Sequence, residues 1–206
     1  MAPRDLLDRG RLLHRRRSRE RHAARKIAGY LHGGRGTLTS DGARRTWNYS
    51  ADRYGPAAQL HSWIAAPGAT VAEKKGELTY IKGDFAEFPY LEVNATAGNS
   101  AWLTLLKPAR AGDTTAFSAE DRSTAAYSAF AISAADQRCL VAAQSKPGAR
   151  LKLDDIETDA AFVLVRRDLA GRVLAFSVLE GTSLSVSGRE IWRAAQPQSA
   201  ARILSP

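Results

Sequence analysis

Cysteine is almost absent from this chain, and its scarcity excludes several kinds of site. Cys139 is the single cysteine among 206 residues, so no intrachain disulfide can form and no zinc site can draw on two thiolates. No run of eighteen apolar residues occurs, so a membrane-spanning helix is not expected. No apolar segment follows the charged start of the chain, so a secretory signal peptide is not expected either.

Common catalytic motifs are missing as well. The chain contains neither Gly-x-Ser-x-Gly nor His-Glu-x-x-His. Its glycine-rich segment at 33–36 lacks the Gly-Lys-Ser/Thr ending of a phosphate loop and is interpreted as a connector. His32, Asp41 and His61 are residue types that bind zinc, but their spacing matches no compact motif. Neither a metal nor another cofactor is therefore predicted.

Positive charge is concentrated at one end of the chain. Residues 1–31 hold ten Arg or Lys and three Asp or Glu, whereas the other 175 residues hold twenty basic and eighteen acidic groups. The sequence pI near 10.0 therefore describes an N-terminal arm and not the body. Three interpretations of the arm stay open: a solvated helical or disordered tail, a polyanion-binding segment, or the edge of a larger chain. Nucleic-acid binding is the less expected of these functions because no aromatic residues are interleaved with the arginines.

Beyond the arm, the hydrophobic period is two. Short alternating segments recur every 8–12 residues with Gly, Pro or Asp-Gly between them, and no long helical pattern intervenes. This pattern predicts an all-β fold, an antiparallel β-sandwich over residues 32–195. The basic arm at 1–31 would be helical or disordered, and residues 196–206 would form a flexible tail.

Several local features are predicted within this sandwich. Residues 37–39 and 44–49 form a hairpin around a Ser40-Asp41-Gly42 turn. In it Trp47 and Tyr49 share one face, and Thr46 and Asn48 share the other. A turn at Lys75-Gly76 separates two strands, and 101–107 is a central strand that ends at Pro108. Residues 125–133 and 138–144 are assigned to strands although their alanine content would also suit a helix.

Aromatic side chains near the first strands are the best candidates for a ligand surface. Exposed rings beside polar groups suit sugars, because the apolar face of a sugar stacks on the ring while its hydroxyls form hydrogen bonds. The candidate carbohydrate-binding residues are Trp47, Tyr49, Tyr54, His61 and Trp63. Packing in the core is the other and more expected role for these rings, since Trp and Tyr bury large areas in sandwiches.

The order of several segments resembles the C-terminal half of bacterial heparinase II/III-like polysaccharide lyases. The resemblance covers roughly residues 28–193 and lies mostly in strand and turn signatures. The segments that carry it are Tyr30-Leu31-His32-Gly33, 52–60, 64–68, Pro89-Tyr90-Leu91-Glu92-Val93, 102–108 and 171–184.

The resemblance implies a fold and a function. In this family a helical toroid precedes β-sandwich layers, and the enzymes cleave uronic-acid polysaccharides by β-elimination. The toroid and the family's His-rich segment have no match here, so no catalytic residue is assigned. The chain is then expected to be the β-sandwich portion of such a lyase, a scaffold or substrate-side wall that is inactive alone, with an acidic polysaccharide and a separate helical catalytic domain as partners. A free-standing carbohydrate-binding sandwich is the alternative. The resemblance also implies a periplasmic or secreted protein, although no signal peptide is recognised.

Overall fold

The computed structural model describes residues 26–33, 36–52, 55–81, 84–96 and 102–204. Within these ranges all regular secondary structure is β-strand, and the strands pair in antiparallel fashion. The strands are β1 (Lys26–His32), β2 (Thr37–Asp41), β3 (Arg44–Tyr49), β4 (Ala58–Ala65), β5 (Ala69–Ile81), β6 (Asp84–Thr96), β7 (Leu103–Arg110), β8 (Phe117–Asp121), β9 (Tyr127–Ala134), β10 (Gln137–Gln144), β11 (Leu151–Leu153), β12 (Ile156–Thr158), β13 (Phe162–Asp168), β14 (Val173–Val186) and β15 (Arg189–Ile203). The predicted all-β, antiparallel sandwich is confirmed.

The strands form three sheets. Sheet A has the order β1-β6-β5, and sheet B has the order β2-β3-β4-β7. Sheet C has the order β11-β12-β14-β13-β10-β9-β8, with β15 also paired to β14. The two faces of sheet B contact different neighbours, sheet C on one side and sheet A on the other.

Apolar side chains at one end of sheet B pack against sheet C. Trp63 and Ala65 of β4 are buried in one cluster with Phe130 of β9 and Val141 of β10. Half-buried neighbours from both sheets complete the cluster: Leu103, Leu105, Phe117, Ala119, Ile132, Phe162 and Leu164. Burial of apolar area, at about 25 cal/mol per Å², thus fixes this end of sheet B on sheet C.

Strand β14 is irregular at Gly181. The pairing of β14 with β15 shifts register on both sides of this residue, and Glu180 before it has a φ of 52°. Leu184 and Val186 of β14 lie in one buried cluster with Val178 from the same strand. Other members of this core come from both halves of the sheet: Ala129, Ala142, Leu151, Leu153, Ile156, Ala160, Val163, Val165, Phe176 and Trp192.

Asp159 holds the chain at this irregular segment of β14. Its carboxylate accepts hydrogen bonds from the Thr182 amide at 2.8 Å and the Ser183 amide at 3.0 Å, and also from the Thr182 hydroxyl. Burial opposes ionisation of Asp159, but these hydrogen bonds outweigh it and lower the pKa of the carboxyl. An ionised acceptor therefore satisfies the backbone donors that the irregular pairing leaves free.

Trp47 joins sheet B to sheet A. Its side chain has no exposed surface, and its indole Nε1 donates to the carbonyl oxygen of Pro89 in β6 at 3.3 Å. Gly33, which follows β1, leaves room for the ring, since an added Cβ there would lie 2.0 Å from Trp47 Cδ1. The Tyr49 hydroxyl donates to the carbonyl oxygen of Gly33. The aromatic face of β3 is thus the packing face against sheet A.

Two predicted boundaries differ from the structure. Residues 1–25 of the arm lie outside the described residues, but 26–31 belong to β1 and pair with β6, so the helical or disordered prediction was wrong for them. The flexible tail was wrong for residues 196–203, which continue β15 and pair with β14 up to Ala175↔Ile203. Most side chains of this edge segment are exposed, so no alternation of apolar and polar residues marked it as a strand.

Two local predictions in the first half of the chain were also wrong. Lys75-Gly76 is not a turn, because β5 runs through it and pairs with β6 on both sides. Gly76 serves close packing instead, since an added Cβ would lie 3.1 Å from the Phe88 ring and 3.2 Å from the Tyr90 ring. Pro108 does not end β7, which is an edge strand of sheet B and not a central one. An edge strand pairs with a neighbour on one side only. It tolerates proline because the groups on its free side make no hydrogen bonds to another strand.

Candidate functional site

The face of sheet B opposite Trp47 carries a polar groove. It encloses about 280 Å³ and begins where the contact with sheet C ends. We call it the sheet-B groove and define it by its lining residues, which are Thr39, Arg44, Thr46, Asn48, Gln59, His61, Trp63, Lys107, Asp113, Thr115 and Phe117.

Strand alternation and register build this groove. Successive side chains of a strand point to opposite faces, so Trp47 faces sheet A while Thr46 and Asn48 face the groove. The pairing then sets Thr39 beside Thr46, Thr46 beside His61, and His61 beside Lys107. A row of four polar side chains therefore crosses all four strands of sheet B, with strands spaced about 4.8 Å apart.

A second row of neutral groups lies one step along the strands. Asn48 pairs with Gln59 in the ladder, and Gln59 Nε2 donates to Asn48 Oδ1 at 2.8 Å. Asn48 Nδ2 lies 3.2 Å from Thr39 Oγ1. These bonds fix the orientation of both amides, and each amide group keeps further capacity for hydrogen bonds.

His61 lies at the centre of the groove. Its Nδ1 is 2.9 Å from Thr46 Oγ1, which orients the ring. Partial burial lowers the pKa of His61, the charges of Lys107 and Arg44 lower it further, and Asp113 acts in the opposite direction. His61 is therefore neutral at neutral pH and carries one ring N–H donor and one ring acceptor.

Lys107 and Asp113 form an ion pair at one side of the groove. Lys107 Nζ lies 3.2 Å from Asp113 Oδ2 and 5.5 Å from the centroid of the Phe117 ring. The Thr115 amide donates to Asp113 Oδ1 at 2.8 Å. Hydrogen bonds from the Thr115 hydroxyl and amide, followed by that from Lys107, lower the pKa of Asp113 to about 2. Asp113 is therefore ionised at every pH at which the protein would ordinarily be studied.

Two aromatic rings close the end of the groove nearest sheet C. The ring centroids of Trp63 and Phe117 are 5.3 Å apart, and those of Trp63 and His61 are 6.2 Å apart. Trp63 is 5% exposed, so most of its surface serves the core and only its margin reaches the groove. The rings form a wall of the groove and not an open stacking platform.

The structure separates the five predicted carbohydrate-binding residues. His61 and Trp63 line the sheet-B groove, whereas Trp47 and Tyr49 lie on the other face of sheet B. Tyr54 lies outside the described residues. Because Trp47 is fully buried, a ligand role for it is wrong, and the alternative of core packing holds.

Most of the polar groups in the groove were missed as candidates. The alternation that assigned Trp47 to one face of β3 also assigned Thr46 and Asn48 to the other, so the signal was present for these two. Lys107 and Asp113 gave no such signal. They reach the groove through the pairing of β4 with β7, which sets Lys107 beside His61 although 46 positions separate them in the sequence.

No group of three metal-binding side chains occurs among the residues that the structure describes. His32 lies in β1 of sheet A, whereas His61 lies in the groove of sheet B, so the set of His32, Asp41 and His61 is not assembled. Within the same described ranges, no helix has the length and hydropathy that crossing a membrane requires.

No family model matches this chain, and no curated protein matches it. The sheet-B groove itself is therefore the basis for the functional proposal.

Proposed function

We propose that this chain is the β-sandwich portion of a heparinase II/III-like polysaccharide lyase and that its part in that function is to bind the polysaccharide. The sheet-B groove is the binding site, a substrate-side wall on a rigid scaffold. The observation that carries the proposal is the row of hydrogen-bonding side chains across four paired strands, Thr39, Thr46, His61 and Lys107.

The chemistry of the groove suits sugar hydroxyls. Each hydroxyl of a sugar both donates and accepts, and the amides, hydroxyls and neutral imidazole of the groove do the same. Their positions are fixed on strands and by mutual hydrogen bonds, which lowers the entropy lost on binding. Several sugar residues in series could thus find partners across the width of sheet B.

The groove is less suited to catalysing β-elimination by itself. Such a reaction needs a base for the proton next to the carboxylate and groups that neutralise the developing charge. In the lyases that the chain resembles, most of these groups come from the helical toroid and from a His-rich segment, and neither has a match in this sequence. Binding without turnover is therefore the proposed activity of the chain alone, and a free-standing carbohydrate-binding sandwich would use the same groove.

The double substitution Asn48→Ala and Gln59→Ala is expected to weaken binding of an alginate or heparin oligosaccharide about 3- to 10-fold per hydrogen bond lost. This range corresponds to the roughly 0.5–1.5 kcal/mol of a single hydrogen bond. Isothermal titration calorimetry on the full chain measures the change. In parallel, the chain is incubated with heparin, heparan sulfate or alginate, and the absorbance of the unsaturated product of β-elimination is followed. No rise in this absorbance is expected.

The matched control is the double substitution Gln196→Ala and Gln198→Ala. These amides are exposed on β15 of sheet C, away from the groove, and their loss should leave binding unchanged. An equal effect of both double substitutions, or no binding by the unsubstituted chain, would refute the groove as the site. Robust product formation by the chain alone would refute the scaffold role.

A further inference from the structure

Two cationic side chains line the sheet-B groove, and the structure holds them in different ways. The Lys107 and Asp113 side chains are only 20% and 26% exposed. Asp113 also accepts from the Thr115 amide, and Lys107 lies over the Phe117 ring. The charge of Lys107 is therefore matched by a neighbouring carboxylate that hydrogen bonds hold in place.

Arg44 is held far more loosely. Its Nη2 lies 2.7 Å from Asp41 Oδ2 across the β2–β3 turn, but the two side chains are 42% and 79% exposed. An ion pair so open to water contributes little to stability, so breaking it costs little. A guanidinium also has five N–H donors, so Arg44 can bind a second carboxylate while it keeps or releases Asp41.

We infer that the sheet-B groove takes an acidic sugar residue in one orientation, with its carboxylate on Arg44 and its hydroxyls toward His61 and Asp113. This inference rests on the proposed function, because it concerns the ligand of the same groove. A carboxylate placed at Lys107 would lie close to the ionised Asp113, because Lys107 Nζ is only 3.2 Å from Asp113 Oδ2. The two negative charges would repel each other. A carboxylate placed at Arg44 meets a planar fork that binds it with two parallel hydrogen bonds.

The opposite side of the groove then has a distinct role. The carboxylate of Asp113 accepts hydrogen bonds only, so it suits sugar hydroxyls and disfavours a second acid group next to it. Arg44 and Asp113 together distinguish the two ends of the bound residue. Arg44 is thus a specificity-determining residue for charge, and Lys107 is not.

The test compares an alginate hexasaccharide with its carboxyl-reduced, neutral counterpart, titrated into the full chain by calorimetry at low ionic strength. Arg44→Gln should weaken binding of the acidic hexasaccharide about tenfold and change binding of the neutral one less than twofold. Arg44→Lys should recover part of the lost affinity for the acidic hexasaccharide, because lysine restores the positive charge but not the paired N–H donors of the guanidinium. Arg172→Gln removes an exposed arginine that is paired with Asp168 in sheet C, and it should change neither affinity.

The possible failures are distinct. If neither hexasaccharide binds the unsubstituted chain, the proposed function fails and the orientation fails with it. If both bind but Arg44→Gln weakens them equally, or weakens neither, the groove stands and the role of Arg44 is overturned. The role of Arg44 is also overturned if Lys107→Gln, and not Arg44→Gln, weakens binding of the acidic hexasaccharide more than binding of the neutral one.

Discussion

Trp47→Ala is expected to lower the free energy of unfolding by about 3–5 kcal/mol, the usual cost of removing a fully buried Trp or Phe side chain. Trp47 has no exposed surface, and its ring fills the space that Gly33 leaves against β1. The substitution also leaves the carbonyl oxygen of Pro89 without its indole donor. Both effects weaken the contact between sheets A and B. Urea unfolding followed by circular dichroism measures the change.

The control for this prediction comes from the same face of sheet B. Leu106 of β7 points to the same side as Trp47 but is 45% exposed, so Leu106→Ala should cost less than about 1 kcal/mol. Trp47→Phe keeps most of the ring volume, so its loss in free energy of unfolding should lie between those of Trp47→Ala and Leu106→Ala. Equal stabilities of the Trp47→Ala and Leu106→Ala variants would contradict the placement of Trp47 in the core.

Gly181→Ala is expected to destabilise the chain by about 1–3 kcal/mol, which is the range for forcing extra volume into a packed interior. An added Cβ would lie 2.6 Å from the Cβ and 2.8 Å from the Cα of Ala160. Ala160 is fully buried, so its backbone has little room to shift. The irregular segment of β14 around Gly181 must therefore move away from Ala160. Differential scanning calorimetry should show a fall in Tm.

Gly55→Ala provides a matched control for this substitution. No atom lies within 4 Å of an added Cβ at Gly55, so this change should leave stability unchanged or raise it slightly. A small gain would arise because alanine lowers the conformational entropy of the unfolded chain. The pair Gly181→Ala with Ala160→Gly should recover only part of the lost stability, because the Cα of residue 160 remains close. A Gly181→Ala variant as stable as the unsubstituted chain would show that Gly181 and Ala160 are not in close contact.

The β2–β3 hairpin shows how far the sequence could predict the fold. An Asp-Gly turn and strict alternation predicted both strands and assigned Trp47 and Thr46 to opposite faces, and this is confirmed. Alternation could not tell which face meets the core, because sheet B has neighbours on both sides. The aromatic face was kept as a candidate ligand surface beside its more expected role in the core. In the structure the Trp47 ring is buried, and the polar face lines the groove.

Other elements depended on long-range pairing that a local pattern does not encode. Pro108 suggested the end of a central strand, but β7 lies at the edge of sheet B, where proline is tolerated. Residues 196–203 looked like a tail because an exposed edge strand has little apolar alternation to detect. Asp113 enters the groove only because β7 pairs with β4 and the chain then turns back toward Thr115.

Chemical-shift mapping tests most directly whether the polar face of sheet B is the binding surface. The full ¹⁵N-labelled chain would be titrated with the alginate hexasaccharide while backbone amides and the side-chain groups of Asn48, Gln59 and Trp47 are followed. We expect shifts that saturate at Thr46, His61 and both amide side chains, with the Trp47 indole signal unchanged. Shifts centred on the Trp47 face, or no shifts in the groove at high ligand concentration, would contradict this assignment.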